Sequence, residues 1–241
     1  MLSPPLNCLL RSVIVLCLCA APPLAAQTFT VGLKGGVPFT DFFHDSKTIG
    51  RGYGLLYYTS KPVRYTIGPA VEFPLTYRFS LEASALYQRF HYSSAGDDLT
   101  YGQKFAAKTT GNAWSFPLLL KLRPKISHVP FYIAAGPVIR HLGGLHQFRT
   151  ETIPTGLPPS PALTQRRDIP DPPELGKRWY PGVSTAGGLN WKLSRVMVSP
   201  ELRYTRWTAN IATDRFASVR PLRFPANQFD LLLGLSLGTR H

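Results

Sequence analysis

Cysteine is scarce in this chain of 241 residues, which has three: Cys8, Cys17 and Cys19. All three lie within the first 26 residues, so positions 27–241 contain none. A disulfide framework, a thiolate nucleophile and a cysteine-ligated metal site are therefore excluded for that part of the chain.

Long apolar runs are also missing. No stretch of about 18 consecutive apolar residues follows residue 26, which excludes a transmembrane helix there. The apolar segment Val13–Ala21 follows Arg11 and precedes Pro22, Pro23 and further small residues. This layout is typical of a secretory signal peptide, so we expect residues 1–26 to be cleaved on export, after residue 25 or 26.

Acidic residues are few: 13 Asp and Glu stand against 27 Lys and Arg, giving a formal net charge of +14. Such an excess of basic residues is often a sign of nucleic-acid binding. The predicted export argues against that partner. Basic residues in the connections, such as Arg149 and Arg166, are expected either to lie against anionic lipid head groups or surface polysaccharide, or to be solvated.

The residues after the leader alternate between apolar and small or polar side chains. In 64–79 the odd positions include Ile67, Val71 and Phe73, whereas the even ones include Gly68 and Glu72. A period of two indicates a β-strand with one apolar face. The same pattern predicts eight strands, within 28–38, 64–77, 79–92, 113–123, 130–140, 182–193, 196–207 and 227–238.

The predicted connections alternate in length along the chain. Short ones are expected at 77–79, 124–129 and 194–195, and long ones at 39–63, 93–112, 143–181 and 208–226. Outer-membrane barrels have short periplasmic turns and long extracellular loops. We therefore predict an all-β fold for 27–241: an eight-stranded antiparallel up-and-down transmembrane barrel in the cell outer membrane, with its loops outside the cell.

A soluble periplasmic β-barrel that binds a ligand is the alternative. In that fold the apolar face points inward and the polar face meets water. The polar face here is dominated by Gly, Ala and Ser with isolated charges, a composition that favours a narrow lumen filled by its own side chains.

Several segments resemble the outer-membrane β-barrel domain family, the small barrels that include the OmpA transmembrane domain. These segments are Val31-Gly32-Leu33-Lys34-Gly35-Gly36, Phe116-Pro117-Leu118-Leu119-Leu120-Lys121, Pro130-Phe131-Tyr132-Ile133-Ala134-Ala135-Gly136-Pro137 and the closing Phe229–Gly238. The resemblance implies a monomeric barrel with no single activity shared across the family. The expected partners are outer-membrane lipid, lipopolysaccharide and the barrel-insertion machinery.

Charged residues on the small-residue face are the candidate site. Because unpaired charges in a narrow lumen are costly, we expect them to form ion pairs that close it, rather than a gate or an ion path. They are Glu72, Glu82, Lys121, Arg123, Lys192, Glu201, Arg203 and Asp230.

An enzymatic alternative rests on His91 and Ser93, which share the predicted outward face. Lipid A deacylases of the PagL type are eight-stranded barrels with a His-x-Ser pair on one strand and a downstream Glu. A His that activates a Ser hydroxyl is sound nucleophile chemistry. Between Glu82 and Glu151, however, no Glu occurs, and we expect a protein that is not an enzyme.

Ligand motifs are otherwise sparse. Of the six histidines, His141 and His146 alone have a spacing that suggests a metal, and they flank Gly143-Gly144 in a predicted loop. No phosphate loop or dinucleotide fingerprint occurs. We expect neither a metal nor another cofactor.

Overall fold

The structure, a computed structural model, describes residues 29–49, 54–61, 63–98, 102–124, 130–155, 162–172, 175, 178–194, 196–208 and 225–237. The predicted signal peptide and most of the predicted loop 208–226 lie outside these ranges. Within them, no helix is long and apolar enough to cross a membrane.

In the residues that the structure describes, thirteen strand segments make up one antiparallel sheet. They are β1 (Thr30–Pro38), β2 (Ser46–Ile49), β3 (Leu55–Lys61), β4 (Thr66–Pro74), β5 (Phe79–Ser84), β6 (Leu86–Asp98), β7 (Gln103–Leu122), β8 (Phe131–Pro154), β9 (Ala162–Pro170), β10 (Trp179–Leu189), β11 (Trp191–Leu193), β12 (Val196–Trp207) and β13 (Asn227–Leu237).

The sheet closes on itself as a barrel. Strand β1 pairs with β4 through Leu33 and Pro69, and with the last strand, β13, through Leu33 and Leu235. Between them the pairing runs from β4 through β5, β7, β8, β10 and β12 to β13. Closure leaves this ring of strands without a free edge.

Segments β5 and β6 follow one another along the same neighbour, β7, and are separated by Ala85. The Ala85 amide donates to the Pro69 carbonyl at 3.0 Å. A Cβ on Gly68 would lie 1.7 Å from the Ala85 oxygen, so this close approach requires glycine. Pro69 has no amide hydrogen to donate back to Ala85, which accounts for the break in the ladder at this point.

Three of the predicted long loops are wrong in extent. Segments β2 and β3 lie within 39–63, β6 and β7 continue through most of 93–112, and β8 and β9 fill much of 143–181. The pairing Asp98–Gln103 closes one hairpin, and Pro154–Ala162 begins the next pair. Strand pairing satisfies backbone groups that an irregular loop would leave to water.

Apolar side chains cover the outside of the barrel near its short turns. Leu118 is 43% exposed and Leu233 is 48% exposed, and the other outward residues behave alike. This set includes Leu33, Ile67, Phe73, Phe116, Leu120, Ile133, Ile139, Val183, Leu202, Leu231 and Leu235. The orientation is the one predicted for a membrane barrel and the opposite of a soluble binding barrel.

An aromatic row, here called the girdle, crosses adjacent strands above this apolar wall. Tyr87 pairs with Trp114, Trp114 with His141, and His141 with Trp179. Tyr65 joins at one end, 6.5 Å from the Tyr87 ring. We call the part of the barrel between the girdle and the short turns the lower half, and the part beyond the girdle the upper half.

The interior of the upper half is a hydrophobic core, here called the upper core. Phe42 and Phe43, from the segment after β1, pack on Phe90 with ring centroids 4.5 and 5.5 Å away. The other buried members are Tyr58, Tyr92, Ala113, Leu142, Leu145, Leu175 and Tyr180.

Candidate functional site

Charged side chains gather inside the lower half, in a group here called the lower cluster. Its members lie on six strand segments or, in the case of Arg123, one residue after β7, and all have the inward parity. They are Lys34, Glu72, Glu82, Lys121, Arg123, Tyr132, Glu201 and Arg203.

Lys34 lies at the centre of the lower cluster. Its Nζ is 2.5 Å from Glu82 Oε1 and 2.6 Å from Glu201 Oε2. The side chain projects from β1 between Gly32 and Gly36, where added Cβ atoms would meet the β13 backbone. One ammonium thus joins carboxylates from β5 and β12 across the interior.

Lys121 and Arg203 complete the pairing of the same carboxylates. Lys121 Nζ contacts Glu82 and is 3.2 Å from Glu72 Oε2. The Arg203 guanidinium donates to Glu201 Oε1 from Nη2 at 2.5 Å and from Nε at 2.8 Å. Because every buried carboxylate here faces at least two donors, the charges offset much of their desolvation cost.

Tyr132 ties the aromatic and ionic parts of the lower cluster together. Its hydroxyl donates to Glu201 Oε2 at 2.7 Å, and Lys121 Nζ lies 4.4 Å from the centre of its ring. Arg123, one residue after β7, pairs with Glu72. Arg123 and Tyr132 both border the short connection between β7 and β8.

A second polar layer lies between the lower cluster and the upper core. Arg140 donates to Gln228 Oε1 at 2.6 Å, and its guanidinium carbon is 4.0 Å from the Trp207 ring centroid. Asp230 accepts from the Gln228 amide at 2.8 Å. This layer connects the ionic interior to the aromatic one.

Little space remains around these side chains. One cavity of about 30 Å³ lies beside Lys34 and Glu72, and another of about 20 Å³ lies beside Arg140 and Asp230. Each is large enough for one or two water molecules. Among the described residues, the side chains of the two polar layers leave these two small spaces between them.

The structure brings together most of the predicted lumen residues. Glu72, Glu82, Lys121, Glu201 and Arg203 are buried in the lower cluster, with Arg123 at its rim. Asp230 is also buried, with the Gln228 amide as its hydrogen-bond donor rather than a cation.

Lys192 is a correction, because it was predicted inside and is exposed. The sequence pattern predicts a strand up to residue 193, but this strand ends at Leu189. Lys192 lies on the short β11, at the end of the barrel that carries the short turns. Parity counted through Asn190 therefore places a solvent-exposed residue in the lumen.

Sequence reasoning missed Lys34 and Tyr132. Both were findable, because Leu33 and Ile133 were assigned to the outward face and their neighbours must then point inward. Lys34 lies in a strand whose alternation is weak, and Tyr132 carries no charge that marks it as a lumen residue.

His91 and Ser93 lie partly exposed on the outward face of β6, as their parity predicted. Across the strands, His91 faces Lys61 and Thr110, and Ser93 faces Thr59 and Lys108. These cross-strand neighbours are cations and hydroxyls, whereas a Ser–His pair needs a carboxylate to orient its imidazole.

The two histidines considered for zinc do not converge on a site. The His141 ring is 4.4 Å from the Trp179 ring, while His146 Nδ1 is 3.9 Å from Asp168. In the part of the chain that the structure describes, no three His, Asp or Glu residues are grouped to hold a metal ion.

Comparisons with known proteins bear little on this site. No protein-family model matches the chain, and no curated protein is significantly similar to it. Among solved structures, Neisserial surface protein A (NspA) has 8% identity and a TM-score of 0.33, covering 87% of this chain and 96% of its own. Outer membrane protease OmpT from Escherichia coli has 11% identity and a TM-score of 0.24, with coverage of 88% and 95%.

Both TM-scores are low and both identities are far below 25%, so neither similarity carries an argument about fold or activity.

Proposed function

We propose that this protein is an integral outer-membrane barrel of eight strands, with a structural or surface-interaction role and no enzymatic activity. The eight are β1, β4, β5 with β6, β7, β8, β10, β12 and β13, which pair in a closed ring.

The observation that carries this proposal is an inversion of polarity at the girdle. On β7 the outward residues below the girdle include Phe116, Leu118 and Leu120, whereas those above it include Lys104 and Lys108. The interior changes in the opposite sense, from the lower cluster to the upper core. A barrel whose outer face is continuously apolar over one part of its height, and is mixed beyond it, where Phe148 and Leu163 are exposed among charged side chains, fits a lipid bilayer in the first part and water in the second.

The aromatic girdle supports the same placement. Tyr and Trp side chains are enriched where a membrane meets water, because an apolar ring and a polar atom suit that boundary. The Tyr87 hydroxyl donates to Asn112 Oδ1 at 2.8 Å, on the side away from the apolar wall. The predicted signal peptide supplies the export that this location needs.

A closed lumen is the second part of the proposal. The lower cluster and the upper core fill the interior at two successive heights, so we expect no general pore. In planar bilayers the purified protein should give at most rare small openings. Steady large conductance would contradict the closed lumen.

The proposed absence of enzymatic activity is tested separately at Ser93. Replacing Ser93 by Ala should leave the acylation of lipid A unchanged in cells that express the protein. If wild-type protein removes an acyl chain and Ser93→Ala does not, the deacylase alternative is correct.

Cell fractionation with heat-modifiable gel mobility tests the proposed location. We expect the full chain to be processed, to fractionate with the outer membrane, and to migrate faster unheated than boiled. Recovery in the soluble periplasmic fraction would favour the soluble barrel.

A further inference from the structure

Four basic side chains form a group on the outward face of the upper half, here called the basic patch. They are Lys61 on β3, Arg89 and His91 on β6, and Lys108 on β7. Lys61 lies directly across from His91, and Lys108 directly across from Ser93, two residues further along β6. Three adjacent strands thus present cations to the same side.

The carboxylates near the basic patch are engaged elsewhere. Asp41 is 3.5 Å from Arg64, and Asp45 accepts the Ser60 backbone amide at 2.7 Å. Asp97, on the same outward parity of β6, lies across from Lys104 farther from the girdle. Among the residues that the structure describes, these carboxylates do not offset the positive charge of the patch.

The height of the basic patch above the apolar wall is set by the strand register. Arg89 follows the girdle residue Tyr87 by two positions and His91 by four. At about 3.3 Å per residue these positions lie about 7 and 13 Å beyond the girdle along the strand. Flexible Lys and Arg side chains shorten or lengthen that distance to reach head groups.

We propose that the basic patch binds the phosphate groups of anionic lipids in the leaflet that surrounds the barrel. This inference rests on the proposed membrane location. We assign a bilayer lipid to this patch because one lipid molecule can contact the basic patch and the apolar wall at the same time. Its phosphate would lie on Lys61 and Arg89, and its acyl chains would lie on the wall below Trp114. The hydroxyls of Ser93 and Thr110, between the cations, supply further donors to phosphate oxygens.

Electron spin resonance in phosphatidylcholine vesicles tests the inference. The wild-type mature chain is reconstituted with spin-labelled phosphatidic acid or spin-labelled phosphatidylcholine, and the fraction of immobilised label gives their relative association. We expect phosphatidic acid to be preferred, and K61Q/R89Q/K108Q to reduce that preference by about fivefold or more, since one cation near an anionic surface contributes roughly that factor.

The matched control is K47Q/K104Q/R166Q, which removes three exposed cations from the outward side farther from the girdle. It should keep the wild-type preference. An equal loss in both variants would show a diffuse effect of net charge and overturn the inference.

Heat-modifiable mobility of the same vesicle samples distinguishes a failure of the lipid site from a failure of the proposed membrane location. If the wild type inserts and shows no preference for phosphatidic acid, the lipid site is wrong and the membrane barrel stands. If the wild type does not insert, the proposed location fails and the inference fails with it.

Discussion

The lower and upper halves of this barrel solve the same packing problem with opposite chemistry. In the lower half, charges such as Lys34 and Glu201 are buried and leucines such as Leu118 face outward. In the upper half, Phe90 and Tyr92 are buried and Arg89 faces outward. The face of the strand that carries the apolar side chains therefore changes between the two halves, as the proposed membrane location requires.

The interiors of the two halves are also stabilised by different interactions. The upper core is stabilised as in a soluble protein, by removing apolar side chains from water. The lower cluster gains little from that source, because most of its side chains are charged and are costly to remove from water. It depends on mutual satisfaction of charges that are strongly destabilising when left single.

Loss of one carboxylate from the lower cluster is the largest effect expected. Glu201→Ala removes a partner from Lys34, Arg203 and Tyr132 at once, and should lower the free energy of unfolding by about 3–5 kcal/mol. Urea unfolding of the folded protein in vesicles measures it.

The control is Glu151→Ala in the upper half, where Glu151 is 2.7 Å from Arg149 and both side chains are partly exposed. A solvent-screened pair of this kind contributes about 1 kcal/mol or less. Equal losses at Glu151 and Glu201 would contradict the distinction between the two interiors.

Placing a charge on the outer wall gives the next largest effect. Leu118→Arg should lower the free energy of unfolding in vesicles by about 2–4 kcal/mol, because at the proposed location it puts a cation against lipid near the bilayer centre. Ala106→Arg, on the same outward face of β7 above the girdle, should change it by about 0.5 kcal/mol or less. If the two substitutions are equivalent, the girdle does not mark a membrane boundary.

A smaller effect is expected from a single hydroxyl. Tyr132→Phe removes the donor to the buried Glu201 carboxylate and should cost about 1.5–3 kcal/mol, the range for hydrogen bonds to charged groups. Tyr204→Phe removes a hydrogen bond of 2.8 Å to Asn227 in an exposed setting and should cost about 1 kcal/mol or less. The same urea unfolding curves measure both losses. A larger loss for Tyr204→Phe than for Tyr132→Phe would contradict the role of the Tyr132 hydroxyl in stabilising the lower cluster.

The lower half was predictable because a period of two leaves a strand with two faces. Once Leu118 and Leu120 are assigned outward, Lys121 must point inward, and the same step places Glu72 and Arg203. The size of the side chains predicts which face points inward, because Gly, Ala and Ser suit a narrow lumen.

The upper half was missed because its alternation has the opposite sense. Along β5 and β6 the apolar residues up to Tyr87 are odd-numbered except for Leu86, and those at Phe90 and Tyr92 are even-numbered. A search for outward apolar residues reads this change as the end of a strand, so 93–112 was predicted as a loop. The prediction that Lys192 points inward is wrong for a related reason, because the alternation of faces is interrupted at Asn190, between β10 and β11.

Cysteine labelling along the outward face of β7 tests the central claim most directly, since residues 27–241 contain no native cysteine. Single cysteines replace Lys104, Ala106, Lys108 and Thr110 above the girdle, and Phe116, Leu118 and Leu120 below it. In intact vesicles a membrane-impermeant maleimide should label the first group and spare the second, with the change at Trp114. Uniform labelling of both groups would contradict a lipid-covered lower half.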